Sequence, residues 1–111
     1  MTRAALVVLA VALLAGCGTT DKAQTEGEKA GAIAAAEAAF AKEKATGTDL
    51  DSGPCIANPL PAPADDWVVD VAHDPRTAVD DKPANQCSAF RDGKAGHFVE
   101  LDPDGNLIRA E

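Results

Sequence analysis

The alternation of apolar and polar positions divides the chain into stretches of different character. Residues 4–15 (AALVVLAVALLA) run without a charge or a turn former. A helix that spans a membrane needs about 20 such residues, so this run is short for a permanent span and suits the central region of an export leader. Residues 18–30 (GTTDKAQTEGEKA) are polar and aperiodic, which predicts a flexible tether. From residue 30 to residue 46 the chain is alanine-rich, with high helix propensity. Ile33, Ala36 and Phe40, with Ala39 alongside, recur at helical steps, while Glu37, Lys42, Glu43 and Lys44 fall largely elsewhere on the wheel. Gly47 is a natural stop. A helix of that length needs packing to persist in water, so Ile33 and Phe40 must face a sheet.

The sheet is predicted from the second half. Residues 48–66 contain Gly53-Pro54 and then Pro59, Pro61 and Pro63, which oppose regular ladder pairing. Pro59-Leu60-Pro61-Ala62-Pro63 reads as a stiff connector, with a polyproline ligand as the alternative. Residues 67–73 (WVVDVAH) form the best strand: Trp67, Val69 and Val71 share one face, and Val68, Asp70 and Ala72 the other. After a loop over residues 76–85, a shorter strand is predicted at 86–91. A third follows at 97–102, with His97, Val99 and Leu101 on one face and Phe98 and Glu100 on the other. Pro103-Asp104-Gly105 makes a hairpin turn, and residues 107–110 pair back. The expected class is α+β: one N-terminal helix packed on a small antiparallel meander of three to four strands. The expected organisation is a leader over 1–16, a tether over 17–30 and one domain over 31–111.

Charge and cysteine content add the compartment. The leader ends in Leu14-Ala15-Gly16-Cys17, which resembles the lipobox of bacterial lipoproteins. The resemblance implies cleavage between Gly16 and Cys17, a diacylglycerol thioether on Cys17, and a domain held at the membrane on the extracytoplasmic side. An ordinary secretory leader followed by an incidental cysteine is the competing reading. The chain carries a net charge of −8, and −9 without Arg3 of the leader. Such an acidic domain lacks the basic face that nucleic acid requires, and anionic headgroups would repel it. With Cys17 taken by lipid, Cys55 and Cys87 remain as an even pair in an oxidising compartment, which predicts a disulfide. Two free thiols are the alternative, but neither CxxC spacing nor a paired base supports them.

The order of helix, strand, turn and strand, with Trp67-Val68-Val69-Asp70-Val71 and the closing segment 98–108 (FVELDPDGNLI), resembles the PepSY-type domain of bacterial envelope proteins over residues 32–110. The chain departs from that pattern by a proline-rich insert and a cysteine pair where the family has short connections. The resemblance implies a protein-binding or protease-modulating module, not a catalyst.

Candidate chemistry is sparse. His73 and His97 are the only histidines; were their strands adjacent, the rings could approach one another, with Asp70, Asp74 or Glu100 as partners. Zinc requires three or four ligands, and no H-x-H or H-x-x-x-H spacing supplies them. The segment from Asp102 to Asn106 resembles a calcium loop in outline, but its glycine is fourth and no glutamate stands at the twelfth position, so it reads as a turn. The doublets Asp65-Asp66 and Asp80-Asp81 read as solvated loop charge. Ser52 and Ser88 stand in no nucleophile elbow, and no phosphate-binding glycine loop occurs. A domain of about 80 residues is not expected to enclose a pocket of the usual 300–1,000 Å³. Trp67 is a core residue or an interaction anchor. These residues lead to a lipid-anchored envelope protein that binds another protein, with no cofactor besides the lipid on Cys17. A metal- or small-ligand-binding lipoprotein using His73 and His97 and a structural spacer are the alternatives.

Overall fold

The computed structural model describes residues 20–111, with side chains from residue 24; the segment 1–16 read as a leader, with Gly16, and Cys17 lie outside the described residues. Helix α1 spans Thr20–Ala45. It begins inside the stretch read from sequence as tether, and residues 24–31 are all exposed. Intrinsic propensity, not burial, supports those first turns. Packing begins at Ala32, Ala36 and Phe40, which are buried one turn apart. The helix closes with the N–H of Thr48 donating to Glu43 O and that of Gly47 to Lys44 O, with Gly47 at φ +81°. This double closure satisfies carbonyls that the last turn leaves free.

Four strands follow: β1 (Cys55–Ala57), β2 (Trp67–Val71), β3 (His97–Leu101) and β4 (Leu107–Ala110), in that spatial order. One helix on one sheet is the expected α+β class, but the sheet is mixed, not an antiparallel meander. Strands β2 and β3 run parallel, in the register Trp67↔His97 through Val71↔Leu101. A parallel pair needs a crossover of a dozen or more residues, and residues 72–96 supply it. Part of that crossover had been read as the strand 86–91. It forms instead a short helix, α2 (Ser88–Arg91), which follows a 3-10 turn at Pro83–Asn85. The side chain of Asn58 fastens α2, its Oδ1 accepting from the Ala89 N–H at 2.8 Å and its Nδ2 donating to Ser88 Oγ at 2.8 Å. Strand β1 was not anticipated among prolines; as an edge strand it needs only one paired side.

The two faces of the sheet differ in what covers them. Helix α1 lies over Trp67, Val69, Val71, Val99, Leu101 and Ala110, which join Leu50 and Leu60 in one core. The crossover covers only part of the opposite face, through Cys87, Ala89 and Ala95 on Val68. The Cys55–Cys87 disulfide ties that crossover to β1, with Cα atoms 5.2 Å apart. At the β3–β4 turn, Asp102 Oδ1 accepts from the N–H groups of Asp104 (2.9 Å) and Asn106 (2.8 Å). Against its burial, those N–H groups hold the Asp102 carboxyl below its ordinary range. This segment is a turn that binds its own backbone, as its spacing predicted.

Candidate functional site

The partly covered face holds a cavity of about 340 Å³. It is an open cavity at the surface and not the enclosed pocket that so small a domain was expected to lack. Two further grooves, of about 550 and 540 Å³, run between α1 and the segment 56–66 and are lined largely by alanine and proline. The first cavity is distinguished by its chemistry. Asp70 and Glu100, register partners on β2 and β3, lie in its floor with Val68 and Phe98. Arg76 and Arg91 reach it from the crossover and Arg109 from β4; Phe90 completes the wall. Strand alternation had placed Asp70 and Glu100 on this side, but the arginines were not legible as a group, since they stand far apart in sequence.

The two carboxylates live in different surroundings. Glu100 is buried and receives Arg76 Nη1 at 3.3 Å, with Arg109 Nη2 at 3.7 Å. Asp70 has no ion-pair partner among the described residues. Burial, and then the neighbouring negative charge of Glu100, push its carboxyl up to about 6. It therefore exchanges a proton near neutral pH. Cys87 also lines the cavity, but its sulfur is bound to Cys55 and is no nucleophile. The aromatic wall is ordered: Phe90 meets Phe98 edge-on at 5.2 Å, and the Arg109 guanidinium lies over the Phe98 ring at 5.1 Å.

A second polar cluster fixes the loop that carries Arg76. The Asp80 side chain is fully buried and accepts from the N–H groups of His73 (3.0 Å) and Thr77 (2.8 Å), and its Oδ1 meets His73 Nδ1 at 3.0 Å. Burial alone would raise the Asp80 carboxyl, but the Thr77 and His73 hydrogen bonds outweigh it and bring it to about 2. Arg76 in turn donates to Asp80 O and to Asp81 Oδ1. Asp80 is thus a positioning residue.

The residues singled out from sequence are dispersed. No family model, curated protein or solved structure matches the chain. Its own geometry must therefore decide among the candidates. His97 stacks on Trp67 with ring centroids 4.6 Å apart and lies 3.5 Å from Asp66, at the start of the parallel pair. His73 lies beyond the far end of β2, about 20 Å along the strand direction at 3.3 Å per residue. Their strands are neighbours, but parallel pairing carries the two rings apart, and they cannot share a ligand. No group of three or more His, Cys, Asp or Glu side chains converges on a metal position among the described residues. Trp67 is buried and belongs to the core. Three of the four aspartates in the doublets bind within the fold, against the reading of solvated loop charge: Asp66 accepts the Gly96 N–H at 2.9 Å, and Asp80 and Asp81 hold the crossover, while Asp65 is exposed. In the proline stretch, Leu60 is buried and its N–H donates to Trp67 O at 2.8 Å, so the segment is built into its own domain. No described helix is long and apolar enough to cross a membrane.

Proposed function

We propose that the protein is a lipid-anchored, extracytoplasmic binding module that presents the partly covered face of its sheet to a partner protein in the cell envelope. The anchor rests on the sequence: a short apolar run followed by Leu14-Ala15-Gly16-Cys17. The likeness to PepSY-type domains points the same way. The binding face rests on one observation. In a strongly acidic chain, arginines and phenylalanines gather around a single cavity, and Phe90 is left 42% exposed at its rim. Arginine and aromatic side chains are the types enriched where protein interfaces are strongest. The site holds charge and apolar surface but no activated nucleophile, which favours recognition over catalysis.

The test is crosslinking in intact envelopes followed by capture of the wild-type chain and of Phe90→Ala. The proposal expects a reproducible partner with the wild type and its loss with Phe90→Ala. Equal capture by both, or none by either, would remove the binding face. Cys17→Ser should leave the chain uncleaved or released from membranes; unchanged membrane fractionation and processing would remove the anchor.

A further inference from the structure

The chain separates its two kinds of basic residue. Arg3 stands in the leader, and all three other arginines, Arg76, Arg91 and Arg109, line the cavity. None of the lysines at 29, 42, 44, 82 and 94 does. A lysine is a flexible point charge, whereas a guanidinium presents a planar fork of donors that fits a carboxylate in two parallel hydrogen bonds. Three arginines and two carboxylates, Asp70 and Glu100, line the cavity, with Asp81 and Asp92 at its margin against Arg76 and Arg91.

The arginines are not equally engaged. Arg76 is occupied by Asp81, Glu100 and the Asp80 carbonyl. Arg91 makes one ion pair, 3.7 Å to Asp92, and Arg109 one, 3.7 Å to Glu100; both side chains are half exposed. Contacts so long and so exposed are weak, and an incoming anion can displace them. The exposed ring of Phe90 and the ring of Phe98, which Arg109 already covers, line the same cavity.

We infer that the cavity is a binding site for an organic carboxylate on an apolar stem, the acid group received by Arg91 and Arg109 and the stem by Phe90 and Phe98. The inference rests on the reading of this face as the binding face and names its chemistry. Either a free small acid or the C-terminal carboxylate of a peptide ending in an apolar residue supplies that chemistry. Asp70 tunes the site. The charged groups that face it are Glu100 from β3, Arg76 and Arg91 from the crossover and Arg109 from β4. An ionised Asp70 opposes an entering anion, and a protonated one does not. Affinity therefore rises as pH falls through the Asp70 titration near 6.

The test uses the full chain in lipid nanodiscs and isothermal titration calorimetry. The probes are 3-phenylpropanoate, its uncharged amide, phenethylamine, and a pentapeptide ending in phenylalanine with either a free or an amidated C-terminus. The free acids bind, more tightly at pH 5.5 than at 7.5, and the amides and the amine do not. Which free acid binds more tightly separates the two sources. Arg91→Gln, at an exposed side chain whose one ion pair is to its neighbour, lowers affinity about tenfold, the loss expected of one charge-assisted pair. Asp70→Asn abolishes the pH dependence and binds at pH 7.5 as the wild type does at pH 5.5. Binding of the amide as tight as the acid, preference for the amine, affinity undiminished in Arg91→Gln, or no binding of any probe would overturn the inference. If Phe90-dependent capture of a partner persists in excess 3-phenylpropanoate, the carboxylate chemistry fails and the binding face stands. If the acid binds but no partner is captured, the reverse holds.

Discussion

The two faces of one small sheet serve different ends. Under α1, Val69, Val71, Val99 and Leu101 are at most 1% exposed and pack in one apolar core. One residue along each strand, on the other side, Asp70 and Glu100 sit side by side in a cavity ringed by arginine. The first face follows the rule that burial stabilises in proportion to the apolar area removed from water. The second breaks it, since Asp70, a half-buried carboxyl without an ion pair, opposes folding. The lesson is that alternation along a strand separates stability from recognition at single-residue spacing. The fold is robust enough on its helix side to tolerate an unfavourable group on the other.

The contrast can be broken from either side. Leu101→Ala, in the helix-covered core, should cost about 4 kcal/mol in urea unfolding, the middle of the range for a fully buried leucine. A loss below about 1 kcal/mol would mean that this face is not the core. On the other side, Cys55→Ser with Cys87→Ser should cost about 3.5 kcal/mol, because the bridge spans a sequence separation of 32 and restricts the unfolded chain. Thermal melts with and without reductant give the same answer. Asp70→Asn should do the opposite and stabilise. The folded carboxyl titrates near 6 and the unfolded one at 3.8, so folding is penalised by up to about 3 kcal/mol at pH 7.5. That penalty fades as pH falls through 6 and is gone below 3.8, so mutant and wild type should melt together at pH 3.5. Asp80→Ala should cost about 2 kcal/mol, since it strands the N–H groups of His73 and Thr77. The Asp80 contribution carries the reverse pH sign: present above 3.8, it is lost as pH falls toward 2. The smallest effect concerns the exposed start of α1. Gly31→Ala meets nothing within 4 Å and should stabilise by about 0.5–1 kcal/mol. No gain in the melt would indicate that these turns are not helical in solution.

Much of the helix-covered face was legible in the sequence. Local periodicity reports which residues share a side, and it located Phe40 on the buried stripe and Trp67, Val69, Val99 and Leu101 together. The cysteine pair followed from compartment and parity. Strand direction was not legible, because pairing between residues far apart depends on how the crossover folds, and 86–91 was read as a strand when Asn58 and the disulfide hold it as a helical turn. The error had a consequence. A strand at 86–91 would have stood between Asp70 and Glu100, whereas the parallel pair sets them side by side. The cavity was hidden for the same reason, since Arg76, Arg91 and Arg109 converge only once β2, β3 and β4 are side by side. One signal was available in advance: apart from Arg3, every arginine lies in the second half of the chain, while lysines are scattered along it.

Site-resolved titration of the Asp70 carboxyl by carbon-detected NMR addresses this division of the sheet most directly. A half-buried acid beside Glu100, without an ion pair, should show a midpoint near 6. A midpoint at the ordinary aspartate value of 3.8 would mean that Asp70 is freely solvated, and that the sheet has no sequestered acidic face.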